Sequence, residues 1–578
     1  MITDSIVYSD ATRRNWERLH SNHNGRLMSR ANKQLSKKTI VPIEYFSNKE
    51  NTVGIQRFVD FFKGEDYPVD AVLLSVGVNL LKKAQIYDRS HVKNVLNEYL
   101  AIPLIPSVEE MPLPSDEFDV LGAIYQSSLL EGEKNCKGSY YTPFSVARNM
   151  TKSLDFSKGQ TFFDPCCGSG AFILALEGAK PSQIFACDND PIAVMIAKIN
   201  LLLKFPNEEF EPQIYCCDYL NTINAVNAIN GLKANYIISN PPWGAVIFDS
   251  SGSPISTKES FSFFFEKAFN QLDNEGIIKF LLPESILNVK CHRNFRKFLL
   301  ENTDIQSITR YPGTFSGVQT KYIDIQCCHS EPRSGEESAK HYVTVNENGL
   351  SRTVLKDAFC LTKNLNFNLL SDSDLEIIQK ILAKGKYTLK DSIWALGVIT
   401  GDNKNKVKNR QGRGMEPIYT GKEIESYTLK QPRKFIKYER SDFQQVAKDE
   451  IYRADEKLVY KFISKNLVFA YDNSKNLFLN SANVLIPKIP GMSIKTVLAF
   501  LNSELFKFLY KSLFGEIKIL KGNLMELPFP EITPETDKKI TELVDEVLNG
   551  NKEAVRLIDN EIFKVFALKQ WDSSLRSE

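Results

Sequence analysis

Four short segments set carboxylates, glycines and an amide directly after apolar runs. The first is Phe162-Phe163-Asp164-Pro165-Cys166-Cys167-Gly168-Ser169-Gly170, where an apolar run ends in Asp-Pro and a Gly-x-Gly turn opens a helical stretch. Glycine permits a tight turn and lets a ligand approach the backbone with no Cβ in the way. The second is Phe185-Ala186-Cys187-Asp188-Asn189-Asp190-Pro191. It places Asp188 about 20 residues past the glycines, where a carboxylate can accept both hydroxyls of a ribose. Asp190, just before Pro191, is the better helix cap. The third, Asp218-Tyr219, offers a carboxylate to an exocyclic adenine amine and an aromatic ring to flank the base. These three segments suit NAD and S-adenosylmethionine alike, although the third glycine of the dinucleotide fingerprint is absent.

The fourth segment decides between them. Tyr236-Ile237-Ile238-Ser239-Asn240-Pro241-Pro242-Trp243-Gly244 is an apolar strand running into Asn-Pro-Pro-aromatic. Two successive prolines lock φ and donate no N–H, so the Pro241 carbonyl is held in one direction outside any ladder. The Asn240 side chain supplies a second carbonyl oxygen nearby. Two fixed acceptors can take both hydrogens of one exocyclic amine. Such an amine is otherwise planar, with its lone pair spread into the base. Double acceptance favours a pyramidal nitrogen with the lone pair aimed at an electrophile, and Trp243 offers a face for stacking.

These residues need strand ends to stand on. Between residues 136 and 330, short apolar runs alternate with helical stretches: 161–163, 184–187, 214–217, 236–239 and 276–282. That alternation predicts an α/β, Rossmann-like, doubly wound domain with a buried parallel sheet, and its ligands fall at the carboxyl ends of the strands. Before it, apolar spacing of three and four predicts a mostly helical region over 1–135, including an amphipathic helix from Phe118 to Leu130. It carries a basic arm at 11–40, with eight Lys/Arg against Glu17. Beyond 345 the pattern is mixed α/β. Within 401–437, ten Lys/Arg face four acids, 10 − 4 = +6. Lys404, Lys406, Lys408, Arg410 and Arg413 are the candidate phosphate contacts, with Tyr419, Tyr427, Phe435 and Tyr438 interleaved.

Composition limits the alternatives. At 578 residues the chain holds three to four domains by the usual scale of about 150 residues each. Lys+Arg 72 against Asp+Glu 70 gives 72 − 70 = +2, so any polyanion site is a local patch. No secretory signal is visible at the N-terminus, and no apolar run is long enough to span a bilayer. Ten cysteines without a CxxC pair, and six histidines without zinc spacing, indicate a reduced cytoplasmic protein with no metal site.

Taken together, the motifs resemble the gamma class of amino-methylating DNA methyltransferases, specifically the adenine-N6 enzymes of restriction–modification systems. Lys137-Gly138-Ser139-Tyr140-Tyr141-Thr142-Pro143 is similar to the family's Tyr-Thr-Pro segment ahead of the glycine loop. The resemblance implies S-adenosylmethionine held by Tyr141, Thr142, Pro143, Asp164, Pro165, Gly168, Gly170, Asp188, Asn189, Asp218 and Tyr219. It implies catalysis at Asn240, Pro241, Pro242 and Trp243, with the extruded base stacked on Phe315 of Thr314-Phe315-Ser316-Gly317-Val318. The helix and strand over Phe261–Ala268 and Gly276–Leu287 are similar to those that follow the tetrapeptide in the family. Gly421-Lys422-Glu423-Ile424 and Leu527-Pro528-Phe529-Pro530 resemble the target-recognition domains appended to such enzymes. The implied division is a helical domain at 1–135, a catalytic domain at 136–345 and a target-recognition domain at 346–578. The implied partners are double-stranded DNA and a separate cognate restriction endonuclease, at the nucleoid. The commonest form of the tetrapeptide ends in Tyr. Trp243 therefore keeps cytosine-N4 methylation open, and methyl transfer to RNA or to protein glutamine is a further alternative.

Overall fold

The computed structural model describes residues 51–65, 67–113, 118–129, 142–221, 227–243, 255, 259–313, 321–330, 341–515 and 518–568. The chain folds as two compact units that divide between Lys356 and Asp357. The basic arm at 11–40 lies outside the described residues.

The first unit is built on a nine-stranded sheet. Its strands are β1 (Phe162–Asp164), β2 (Ile184–Asp188), β3 (Gln213–Cys216), β4 (Ala234–Ser239), β5 (Leu272–Pro283), β6 (Thr303–Arg310), β7 (Tyr322–His329), β8 (Tyr342–Glu347) and β9 (Leu350–Leu355). Their spatial order is β3-β2-β1-β4-β5-β7-β6-β8-β9. The first five in that order are mutually parallel, and β7 enters antiparallel between β5 and β6. The strands are apolar because both faces are covered: Phe162, Phe163, Ala186, Ile237 and Ile238 are all buried. The chain leaves β1 towards β2 on one side and returns as β4 on the other. The carboxyl ends of β1 and β4 therefore flank the topological switch point, where open α/β sheets hold their ligands.

The helical region ahead of the sheet comprises α1 (Asn51–Glu65), α2 (Val69–Lys83), α3 (Ser90–Asn97) and α4 (Val120–Ser128). After it come α5 (Phe144–Thr151), α6 (Ala171–Ala175), α7 (Pro191–Lys204), α8 (Ser260–Asn270) and α9 (Arg293–Asn302). The N-terminal helices do not enclose a core of their own. Phe58, Val72, Val76, Leu121 and Ile124 share one apolar cluster with Met195, Ile196 and Ile199 of α7. Gly77 lets α2 lie close, since a Cβ there would sit 2.7 Å from Ile199 Cδ1. The segment expected to be an amphipathic helix is instead buried on all sides: every residue of α4 from Val120 to Ser127 is buried. It packs against α1, α2 and α7 at once, so no face needs polar residues. Residues 346–355, assigned to the C-terminal domain from sequence, complete β8 and form the edge strand β9.

Among its described residues the second unit carries two four-stranded sheets, a two-stranded antiparallel pair of Gly385–Tyr387 with Phe529–Pro530, and a set of helices. One sheet is antiparallel, in the order Ile393–Leu396, Ala482–Ile486, Lys457–Lys461, Phe469–Asp472. The other is formed by Val407–Lys408, Phe435–Ile436, Glu416–Tyr419 and Leu477–Phe478. Among the described residues of the chain, no helix is long and apolar enough to cross a membrane.

Candidate active site

Parallel pairing in register fixes the site. Phe162 and Phe163 of β1 lie opposite Tyr236 and Ile237 of β4. Asp164 and Ser239 are thereby brought side by side, and the Ser239 hydroxyl donates to Asp164 Oδ1 at 2.6 Å. The backbone N–H of Cys166 donates to the same oxygen at 3.1 Å. Cys166 Sγ lies 2.9 Å from Ser239 Oγ. Asp164 is fully buried, and its Oδ2 has no hydrogen-bond partner among the described residues. Burial pushes its carboxyl up to about 7, against the pull of Ser239 and the Cys166 N–H.

The glycine turn and the acid after β2 are joined directly. Gly168 (φ 53°) and Gly170 (φ 90°) hold the left-handed conformation that favours glycine. The Gly168 N–H donates to Asp188 Oδ2 at 2.9 Å, and the Asp190 N–H donates to Asp188 Oδ1 at 3.0 Å. Burial raises the Asp188 carboxyl above its usual range, and these N–H groups oppose the shift. Asp190 caps α7 by accepting from the Ile192 N–H at 3.0 Å, the role expected of it. Asn189 and Asp218 are exposed beside these turns.

Asn240 follows Ser239 at the end of β4. Its amide donates to the Thr142 hydroxyl at 3.2 Å. Thr142 and Pro143 are buried and lead into α5, so this Thr-Pro pair reaches the tetrapeptide itself. Ser260, the first residue of α8, donates to the Pro242 carbonyl at 2.7 Å. The Trp243 indole N–H donates to the Leu281 carbonyl of β5 at 3.2 Å. Its ring lies 6.4 Å from Tyr322, which stacks on Tyr311 at 5.3 Å. The tetrapeptide is thus tied to the neighbouring strand, to α8 and to the segment before α5.

Tyr219 departs from expectation. It is buried rather than facing a ligand, with its ring among Phe163, Phe264 and the Lys267 ammonium. Its hydroxyl donates to Gln271 and its carbonyl accepts from Lys267. The ring fills the gap between α8 and the sheet, where burying aromatic area is favourable. Tyr141, Gly244 and Phe315 lie outside the described residues. Ser239, Cys166 and Ser260 were missed from sequence. Only Ser239 left a signal, as the last strand residue before Asn240.

In the second unit, Lys404, Lys408, Arg410 and Arg413 are exposed. Lys406 is committed to the protein, since its ammonium donates to the Thr400 carbonyl at 3.0 Å and to that of Asp442. The aromatics there were expected at a nucleic-acid surface. Tyr419 and Tyr427 are instead buried, and Tyr427 exchanges backbone hydrogen bonds with Phe469 and Tyr471. Rings that complete a small unit's core are not available for stacking.

Residues 116–322 match the N-6 DNA Methylase family model, and residues 416–529 match that of the TaqI-like C-terminal specificity domain. The type II methyltransferase M.VspI of Vibrio sp. (strain 343) is 30% identical over 391 residues, which span 65% of this chain and 88% of that protein. The chain belongs to the N6 DNA methyltransferases of restriction–modification systems. The methylase subunit of the Escherichia coli type I restriction enzyme EcoEI is 25% identical over 236 residues, covering 36% of this chain and 46% of that one. Among solved structures, the type IIL restriction–modification enzyme MmeI in complex with DNA superposes with a TM-score of 0.56 at 14% identity. It spans 98% of this methyltransferase chain and 96% of its own, a likeness of fold.

S-adenosyl-L-methionine is the cofactor of this methyltransferase family, and the residues present fit it. The orphaned, buried Asp164 Oδ2 is suited to a cationic ammonium. The glycine turn brings backbone rather than side chains to the strand end, and Asp188 stands beside it, a carboxylate of the kind that suits ribose hydroxyls.

Proposed function

We propose that this methyltransferase modifies the N6 amine of an adenine within a specific duplex DNA sequence. Asp164, Gly168, Gly170 and Asp188 would hold the cofactor, with Thr142 and Pro143 at the tetrapeptide side. When bound, S-adenosylmethionine supplies an electrophilic methyl group for the adenine nitrogen. The chain's own residues prepare that nitrogen. The Asn240 side-chain oxygen and the Pro241 carbonyl accept its two hydrogens, which localises the lone pair. Trp243, its indole N–H anchored on Leu281, offers a face to the extruded base. Extrusion is required because a stacked, paired adenine cannot bring its amine to a sheet end, and it costs a few kcal/mol. Asn240 is neutral and takes no proton, so the surplus proton leaves to solvent.

The observation that carries this reading is the Asn240–Thr142 hydrogen bond at 3.2 Å, which turns the Asn240 nitrogen towards Thr142 and its oxygen to the other side. In this reading the C-terminal domain recognises the target, and Lys404, Lys408, Arg410 and Arg413 contact phosphates. The cellular role is protection of DNA against a separate cognate endonuclease, in the cytoplasm at the nucleoid. Sequencing that reports modified bases, on DNA from cells expressing the chain, should show N6-methyladenine at one recurring sequence that is absent from the Asn240→Ala strain. Methylation on cytosine alone, or on no DNA base, would overturn the proposal.

A further inference from the structure

The hydrogen bonds of Asp119 and Tyr125 are not explained by helix packing alone. Asp119 caps α4 by accepting from the Gly122 N–H at 2.8 Å. The same carboxylate accepts from the Ser169 hydroxyl, between the two glycines of the turn. Asn200 of α7 closes this group by donating at 2.9 Å to Asp119 Oδ1 and at 2.9 Å to the Ser169 carbonyl. One helical turn further on, the Tyr125 hydroxyl donates to Asp190 Oδ2 at 2.6 Å. Asp190 in turn donates its N–H to Asp188, which accepts from Gly168. Just before the helix, the Phe118 ring lies 3.7 Å from that of Phe144, the residue after Thr142-Pro143.

One short stretch therefore touches the glycine turn, the ribose-side acid turn and the Thr-Pro segment. Gly122 makes the approach feasible, since a Cβ there would lie 2.0 Å from Asp119 Oδ2 and 2.5 Å from Ser169 Oγ. Ser169 is 1% exposed, and its neighbours Gly168 and Gly170 have the least backbone restraint of any residue type. A turn so free to rotate needs an external hold to present one shape.

We infer that Phe118, Asp119 and Tyr125 are positioning residues that set the shape of the cofactor pocket from the N-terminal helices, so that cofactor affinity depends on them although they are not its ligands. The inference rests on the reading of the 164–190 turns as the cofactor site. Isothermal titration with S-adenosylmethionine and with S-adenosylhomocysteine on the full chain tests it, using Tyr125→Phe, Ser169→Ala and Gly122→Ala. Tyr125→Phe and Ser169→Ala should each weaken cofactor binding about fivefold to tenfold, the scale of one lost hydrogen bond. KM for the cofactor should rise alike, with kcat at saturating cofactor and duplex affinity within twofold. The melting temperature without cofactor should move by no more than about 2 °C. Gly122→Ala should lose more affinity, and the two hydroxyl deletions carry the test if that variant does not fold. Cofactor dissociation constants within twofold of the unaltered chain for both hydroxyl deletions would overturn the inference. If the unaltered chain itself takes up no cofactor, the assignment of the 164–190 turns falls, and this inference falls with it.

Discussion

Thr142 accepts a hydrogen bond from the Asn240 amide at 3.2 Å, although the two residues lie on different segments, one before α5 and one after β4. An amide side chain can present either its oxygen or its nitrogen to a substrate. In this structure the Asn240 nitrogen faces the Thr142 hydroxyl, and in the proposed reading its oxygen accepts from the base amine.

Removing that hydroxyl should impair turnover without unfolding the protein. Thr142→Val keeps the shape of the side chain and removes the hydroxyl to which the Asn240 amide donates. The expected loss in kcat is about a hundredfold, the scale of a misplacement of roughly 1 Å. Thr142→Ser retains the hydroxyl and should restore most of the rate. Single-turnover methylation of a duplex substrate measures this, and equal rates for the valine and serine variants would contradict it.

Asp164 supplies a pH dependence with a defined sign. Burial pushes its carboxyl up to about 7, above the ordinary value of 3.8, so below that pH the free protein favours the protonated form. The stability this group contributes is in place at low pH and is lost as pH rises through about 7. Cofactor binding runs the other way, because an ammonium requires the ionised carboxylate. Affinity for S-adenosylmethionine should tighten from pH 6 to pH 8, by up to about tenfold per unit below the transition. Asp164→Asn should bind more weakly at pH 8 and show a flat profile. Calorimetry across that range decides it, and a wild-type affinity that is constant with pH would refute the role of Asp164.

Much of this site was legible from sequence because strand ends punctuate strongly. Asp-Pro, Gly-x-Gly and Asn-Pro-Pro each announce both a break in the sheet and a chemical group, so Asp164, Gly168, Asp188 and Asn240 could be named before their distances were known. Tyr219 misled because Asp218-Tyr219 has the same local pattern whether the ring faces ligand or core. Only the helix laid over it, with Gln271 and Lys267, determines which. Asp119 carried no signal of its own in the sequence, and nothing in its neighbourhood announced Ser169 or Asn200. A helix buried by tertiary contacts on every side has no amphipathic period to read, which is why α4 was given a polar face it lacks.

The basic stretch of the second unit separates into two kinds of lysine. Replacing Lys404, Lys408, Arg410 and Arg413 together by Gln should lower the slope of log affinity against log salt by about 3 to 4, at about 0.9 per phosphate contact on duplex DNA. Lys406→Gln should change that slope by less than the average of the other four, since its ammonium already serves two backbone carbonyls. Fluorescence anisotropy at several salt concentrations measures both. An unchanged slope in the fourfold variant would remove the patch from the interface.

Lys457 and Asp472 form a buried ion pair, with side chains 0% and 1% exposed. Asp472 also accepts from the N–H groups of Ser474 and Asn476 at 3.1 Å each. Lys457→Met leaves the buried carboxylate without its counter-charge and should cost the second unit about 3 to 5 kcal/mol. Adding Asp472→Asn removes the stranded charge and should recover part of that loss. Urea denaturation of the full chain reads both variants, and a single substitution costing under about 1 kcal/mol would contradict the account.

The most direct measurement uses S-adenosylmethionine labelled on its methyl group, incubated with the chain and duplex DNA, followed by separation of the nucleosides. The account predicts label in N6-methyladenine with the unaltered chain and none with Asn240→Ala, while the variant still binds duplex. Label confined to another base, or equal labelling by the Asn240→Ala variant, would contradict it.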